Sequence, residues 1–126
     1  MWKILKKYMN IAIKFINIES TEALTNYAND KIKEALQKFT KDKDIFVEIE
    51  LSKTNNHHVQ GVFFRASAEV KGLSKKYFVE STKEDLYASI DDLKDKLEEI
   101  ISNAKDRRSR IAHKVAIKFK KLFKKL

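Results

Sequence analysis

Three consecutive period-two runs, bracketed by two helical seams, constrain this fold more than any other feature of the sequence. Ile45, Val47, Ile49 and Leu51 alternate with Phe46, Glu48 and Glu50. Val62, Phe64, Ala66, Ala68 and Val70 alternate within 61–71, and Tyr77 and Val79 do so within 75–80. Alternation places one residue set on one side of an extended chain, so each run predicts a strand with a single apolar face. Lys71-Gly72-Leu73-Ser74 predicts a hairpin turn between the second and third runs, and 52–60 predicts a polar loop between the first and second. Nearer the start, Asn10–Ile16 alternates well enough to predict a fourth strand.

The helical seams have a different period. Ser20 and Thr21 offer an N-cap, and Leu24, Ala28, Ile32, Ala35, Leu36 and Phe39 follow in steps that predict an amphipathic helix of about five turns. Ser81-Thr82-Lys83-Glu84 predicts a capping box, with Ser81 paired to Glu84. A second helix of about six turns then carries Leu86, Ile90, Leu93, Leu97, Ile100 or Ile101, and Ala104 on one stripe. The order is β-α-β-β-β-α. The simplest way to bury every apolar face is an α+β two-layer domain, a four-stranded sheet with both helices on one side. A chain of 126 residues suffices for one such domain. The absence of Pro and the presence of only two Gly argue against a many-turned β-sandwich. The absence of Cys excludes a disulfide scaffold, a Cys–Zn site and a thiol nucleophile. No apolar run approaches the roughly 20 residues needed to cross a bilayer, and Met1–Tyr8 lacks the apolar core of a secretory signal.

Charge is placed unevenly. Residues 1–103 hold 17 Lys and Arg against 17 Asp and Glu, whereas 104–126 hold ten basic residues against Asp106 alone. The whole surplus of +9 sits at the end of the chain. After the cluster Arg107-Arg108-Ser109-Arg110, Ile111, Val115, Phe119, Leu122 and Leu126 recur at helical spacing beside Lys114, Lys118, Lys121 and Lys125. This predicts a basic amphipathic tail, 108–126, which suits an anionic partner. Three uses stay open: extending an RNA-binding surface, lying on an anionic membrane, or docking on the domain or on another copy.

The remaining sheet face is expected to carry Phe46, Glu48, Glu50, Phe63, Arg65, Ser67, Glu69, Phe78 and Glu80. A hairpin centred between Gly72 and Leu73 puts Arg65 opposite Glu80, with Glu48 at its side, which predicts cross-strand ion pairing. Phe46, Phe63 and Phe78 could instead serve as stacking platforms of a general RNA-binding module. No catalytic constellation is visible. His57 and His58 are adjacent rather than facing, His113 is isolated, and no Gly-rich phosphate loop occurs. The expectation is a non-enzyme with no metal, no cofactor and no small-molecule substrate.

The run Asp85-Leu86-Tyr87-Ala88-Ser89-Ile90-Asp91, continued by Leu93, Asp95-Lys96-Leu97 and Lys105-Asp106-Arg107, resembles the ribosome hibernation-promoting factor family, also called ribosome-associated translation inhibitors. Met9-Asn10-Ile11-Ala12-Ile13, Thr21-Glu22-Ala23-Leu24 and Lys31 fit the beginning of the same pattern, over about residues 9–108. The resemblance implies a cytoplasmic, ribosome-associated protein. It would bind ribosomal RNA in the decoding channel of the small subunit, where mRNA and tRNA would lie, and silence idle ribosomes in starved or stationary cells. The resemblance implies contacts by basic residues of the two helices and carries over to Lys31, Lys96 and Arg107; Lys38, Lys105 and, on the basic tail, Arg108, Arg110 and Lys114 complete the candidate RNA contacts. Family members commonly carry positive residues near positions 25, 99 and 103, where this chain has Thr25, Glu99 and Asn103. The chain looks like a short form, divided into an extension at 1–8, a ribosome-binding domain at 9–107 and the tail. Trp2, Leu5 and Tyr8 leave three readings open for the extension: packing on the body, a disordered segment, or an upstream start codon. A rival functional class is a peripheral membrane protein whose domain merely carries the tail.

Overall fold

The computed structural model describes residues 9–39, 44–55 and 61–124. The extension at 1–8, His57, His58, Lys125 and Leu126 lie outside them. Seven elements follow in order: β1 Met9–Ile16, α1 Glu22–Leu36, a single 3-10 turn Gln37–Phe39, β2 Ile45–Asn55, β3 Val62–Lys71, β4 Tyr77–Lys83 and α2 Leu86–Lys124. The sheet order is β1-β2-β3-β4. β1 runs parallel to β2, from Met9↔Ile45 to Ile16↔Ser52, and β2–β3 and β3–β4 are antiparallel. A parallel pair needs a crossover, which α1 supplies. This is the expected α+β layering.

The core forms where the two helices cover one side of the sheet. Ile45, Val47, Ile49 and Leu51 of β2, Ala66, Ala68 and Val70 of β3, and Tyr77 and Val79 of β4 are buried against Ala28, Ile32, Ala35 and Leu36 of α1 and Leu86, Ile90, Leu93, Leu97 and Ile101 of α2. β1 lies at the sheet edge, so its inward residues Met9, Ile11, Ile13 and Phe15 are only half-buried. The Thr21 Oγ1 caps α1 by accepting from the Leu24 backbone N–H at 3.2 Å. Gly72 has a φ of +106°, and a Cβ there would sit 2.2 Å from the Asp44 carbonyl oxygen. The β3–β4 turn therefore requires glycine both for its conformation and for the close passage of the chain leading into β2.

Several local expectations are corrected. β2 continues to Asn55 because Ser52–Asn55 pair with Val62–Arg65, although their side chains carry no apolar alternation. β4 begins at Tyr77 and continues through Ser81, Thr82 and Lys83, held by Phe64↔Lys83 and Ala66↔Ser81 pairing. Ser81 is thus a strand residue and makes no capping box with Glu84; its hydroxyl donates to Asp92 Oδ2 at 2.6 Å. α2 is capped by Asp85, whose Oδ2 accepts from the Ala88 backbone N–H at 3.2 Å and whose carbonyl accepts from Ser89 N–H at 3.0 Å. The β3–β4 register places Arg65 against Thr82, two positions from the expected partner, yet the long guanidinium still reaches Glu80 diagonally, with Nε–Oε2 at 2.9 Å. Glu48 lies opposite Glu69 instead of beside Arg65.

α2 has 39 residues, about 58 Å at 1.5 Å per residue. Its first half is fixed to the sheet by the apolar seam and by Ser89, which is fully buried and donates to the Phe64 carbonyl at 2.7 Å. Ile101, and not Ile100, completes that seam. From Lys105 to Lys124 every residue is exposed, and beyond Lys105, whose side chain reaches back over Phe39, about 28 Å of helix stands clear of the described body. The basic tail is the far half of this helix, and α2 is unbroken across 107–108.

Candidate nucleic-acid interface

Few of the candidate cations on the body stand free. Lys31 is 3.7 Å from Asp91, Lys38 is 3.4 Å from Glu98, and Lys96 is 3.2 Å from Asp92 while also donating to the Glu80 carbonyl at 3.2 Å. Lys94 bridges Glu34 and Glu98, each at 3.2 Å. Hydrogen bonding to Glu34, then to Glu98, holds the Lys94 ammonium above its ordinary pKa. Burial pushes the Glu98 carboxyl up, but Lys94 and Lys38 outweigh it and leave the carboxyl below its usual range. Asp92 is likewise held low, chiefly by the Ser81 hydroxyl and then by Lys96, against the upward push of burial.

The remaining five candidates lie on the far half of α2. Lys105 sits over the Phe39 ring, 5.6 Å from its centroid. Arg107, Arg108, Arg110 and Lys114 are exposed and have no ion-pair partner among the described residues. Lys118, Lys120, Lys121 and Lys124 continue the cluster beyond the expected contacts. Within α2, 86–104 carry five acidic and two basic residues, whereas 105–124 carry nine basic residues against Asp106. Glu99 and Asn103 are exposed on the stripe that joins Lys96 to Arg107, so that stripe gains positive charge only at its ends. Thr25 is occupied within α1, its hydroxyl donating to the Thr21 carbonyl at 2.9 Å.

Between the helices lies a cluster the sequence pattern alone did not reveal. Tyr27 of α1 donates to Asp91 Oδ1 at 2.5 Å, packs edge-on against Tyr87 with ring centroids 4.8 Å apart, and lies beneath the Lys31 ammonium, 5.5 Å away. The hydrogen bond to Asp91, then burial, pushes the Tyr27 hydroxyl up to about 12. The signal available in the sequence was the i, i+4 spacing of Tyr27 with Lys31 and of Tyr87 with Asp91, which stacks each pair on one helix face.

The open sheet face suits phosphate poorly. Phe46 and Phe78 are exposed there, but Phe63 is half-buried. A shallow groove across this face is lined by Lys14 and by Glu48, Glu50 and Glu69 beside Phe78. Glu48 and Glu69 are 3.8 and 3.7 Å from Lys71, and Lys76 is 3.5 Å from Glu69. Arg65 is engaged by Glu80. Among the described residues no cluster of His, Asp and Glu could hold a metal ion, and His113 stands exposed on α2.

The fold has close counterparts. The N-terminal domain of Protein Y from Thermus thermophilus superposes with a TM-score of 0.63 at 26% identity, covering 75% of this chain and 98% of that one. A structure described as a ribosomal subunit interface protein from Coxiella burnetii gives a TM-score of 0.59 at 20% identity, covering 75% and 97%, and shares the fold. No curated protein sequence matches. The family described as Sigma 54 modulation protein / S30EA ribosomal protein matches residues 11–109, from β1 through the first turns of the basic half of α2. The chain belongs to the Sigma 54 modulation protein / S30EA ribosomal protein family.

Proposed function

We propose that this ribosome-associated protein occupies the decoding channel of the small ribosomal subunit and silences the ribosome by excluding mRNA and tRNA. The mechanism is occlusion, without chemical turnover, and its setting is the idle ribosome in the cytoplasm. The observation that carries the reading is the run of cations Arg107, Arg108, Arg110 and Lys114, unpaired among the described residues and presented with Lys105 on one helix after residues 1–103, whose net charge is zero. Such cations neutralise phosphates and release counterions, giving affinity that depends on salt and little on base sequence. Lys31, Lys38 and Lys96 serve as secondary contacts. Their exposed ion pairs contribute only about 0–1 kcal/mol each, so a phosphate can exchange for the carboxylate at small cost. In this reading 9–107 form the ribosome-binding body and the cations of 108–126 add affinity.

Sedimentation with purified small and large subunits at graded salt tests it. The expected result is binding to small subunits that weakens steeply as salt rises and is displaced by mRNA with initiator tRNA. Binding confined to free large subunits, or insensitive to salt, overturns it.

A further inference from the structure

The far half of α2 has a second surface that phosphate binding leaves unused. At 100° per residue, Ile111, Ala112, Val115, Ala116, Phe119, Leu122 and Phe123 fall within an arc of about 140°. This arc is in phase with the seam Leu86, Ile90, Leu93, Leu97, Ile101 and Ala104, which faces the core. One face of α2 is therefore buried in protein over its first half and bare over its second, interrupted by Lys105 and Arg108. The bare part is strongly exposed, at 57% for Phe119, 63% for Leu122 and 69% for Phe123. Cations border it on both sides: Lys114, Lys118 and Lys121 along one, Lys120 and Lys124 along the other.

We infer that 111–124 bind the surface of an anionic lipid bilayer, with the apolar arc in the acyl boundary and the lysines reaching the headgroups. Charge selects this occupant. A second copy of the segment 105–124 laid along the first would bring nine cations against nine, with Asp106 the sole acidic residue of each segment. An RNA duplex would satisfy the lysines but leave five large apolar side chains in water, since its grooves are read through phosphates and 2′-hydroxyls. An anionic membrane satisfies both faces together: apolar area enters the interface, and long basic side chains snorkel to the phosphates. Among the described residues no helix is long and apolar enough to cross a membrane, so the helix lies on the surface. The inference stands on the apolar arc, which the ribosomal reading does not use; the two share Lys114, and the other ribosomal cations, at 105–110, precede the arc.

The test is sedimentation of the full chain with vesicles of phosphatidylcholine alone and of phosphatidylcholine mixed with phosphatidylglycerol. Binding is expected only in the presence of phosphatidylglycerol. The double change Phe119→Gln and Leu122→Gln keeps every positive charge and uses a good helix former. It should weaken vesicle binding by at least about tenfold, roughly 1.4 kcal/mol, while leaving sedimentation with small subunits unchanged. Any of these results overturns the inference: no binding to anionic vesicles, vesicle binding indifferent to the double change, or a tenfold loss of binding to a single RNA hairpin from the same change. A tail-dependent dimer that anionic vesicles fail to dissociate also overturns it.

Discussion

Tyr27 and Asp91 lie 64 residues apart in the chain and meet in one hydrogen bond between α1 and α2. The bond holds the phenol protonated, and Asp91 also faces Lys31, so a single carboxylate ties two side chains of α1 to the start of α2. These helices must stay parallel in phase for the sheet-facing stripes of both to remain buried.

Tyr27→Phe should lower stability by about 0.5–1.5 kcal/mol, the usual net worth of such a bond. Because the folded value is raised from 10 to about 12, the contribution is fully present below pH 10 and is lost as pH rises through 12. Denaturant unfolding at neutral pH and at pH above 11 should show the difference between wild type and variant shrinking in alkali. A phenolate absorbance titration should show one tyrosine ionising late.

Ser81→Ala should cost about 1.5–3 kcal/mol at pH 7, because the buried hydroxyl donates to an ionised carboxylate. The Asp92 pKa is depressed in the fold, so its contribution is present above the ordinary carboxylate range near 4 and disappears as pH falls through the folded value. Thermal melts at pH 7 and along a descending pH series below 4 should show a clear penalty at pH 7 that shrinks as the Asp92 carboxyl becomes protonated.

Gly72→Ala should cost about 3 kcal/mol or more, combining a positive φ with a methyl group driven into the Asp44 carbonyl. Denaturant midpoints measure it. A near-neutral result would mean that the turn relaxes freely and that the passage against Asp44 is not tight.

Deleting 108–126 should weaken small-subunit binding by at least about tenfold, or 1.4 kcal/mol. It should also flatten the salt dependence, at roughly −0.7 in log–log slope per lost single-strand phosphate contact. The double change Lys96→Ala and Arg107→Ala should cost less than the deletion, since Lys96 already spends its charge on Asp92. Filter binding at several salt concentrations distinguishes the two. A truncated chain that binds as tightly as the full one removes the tail from the ribosomal account.

The layer arrangement was legible because the strands present alternating faces and because Leu86 to Ala104 keep one unbroken seam; those patterns depend on neighbours in the sequence. The start of α2 was not. Ser81-Thr82-Lys83-Glu84 has the local form of a cap, but pairing of Phe64 with Lys83 and burial of Ser81 draw the first three residues into β4. Nothing in the sequence near Ser81 reports on a partner strand beginning at Val62. The same limit applies to the interface. Counting charges located the basic end of α2, whereas the engagement of Lys31, Lys38 and Lys96 depends on acids brought from other elements or from a neighbouring turn. Asp91 and Glu98 reach two of them from α2, across to α1 and the turn that follows it.

The uninterrupted α2 also sets an order of arrival. Its free part extends about 28 Å, several times the screening distance of about 8 Å at physiological salt. On either proposed reading an anionic target would attract the tip while the body is still electrically out of reach. Capture would then begin with a rotation that turns the helix end-on to its target, and the sheet and α1 would follow as a tethered search. The far end would be caught before the folded part is recognised.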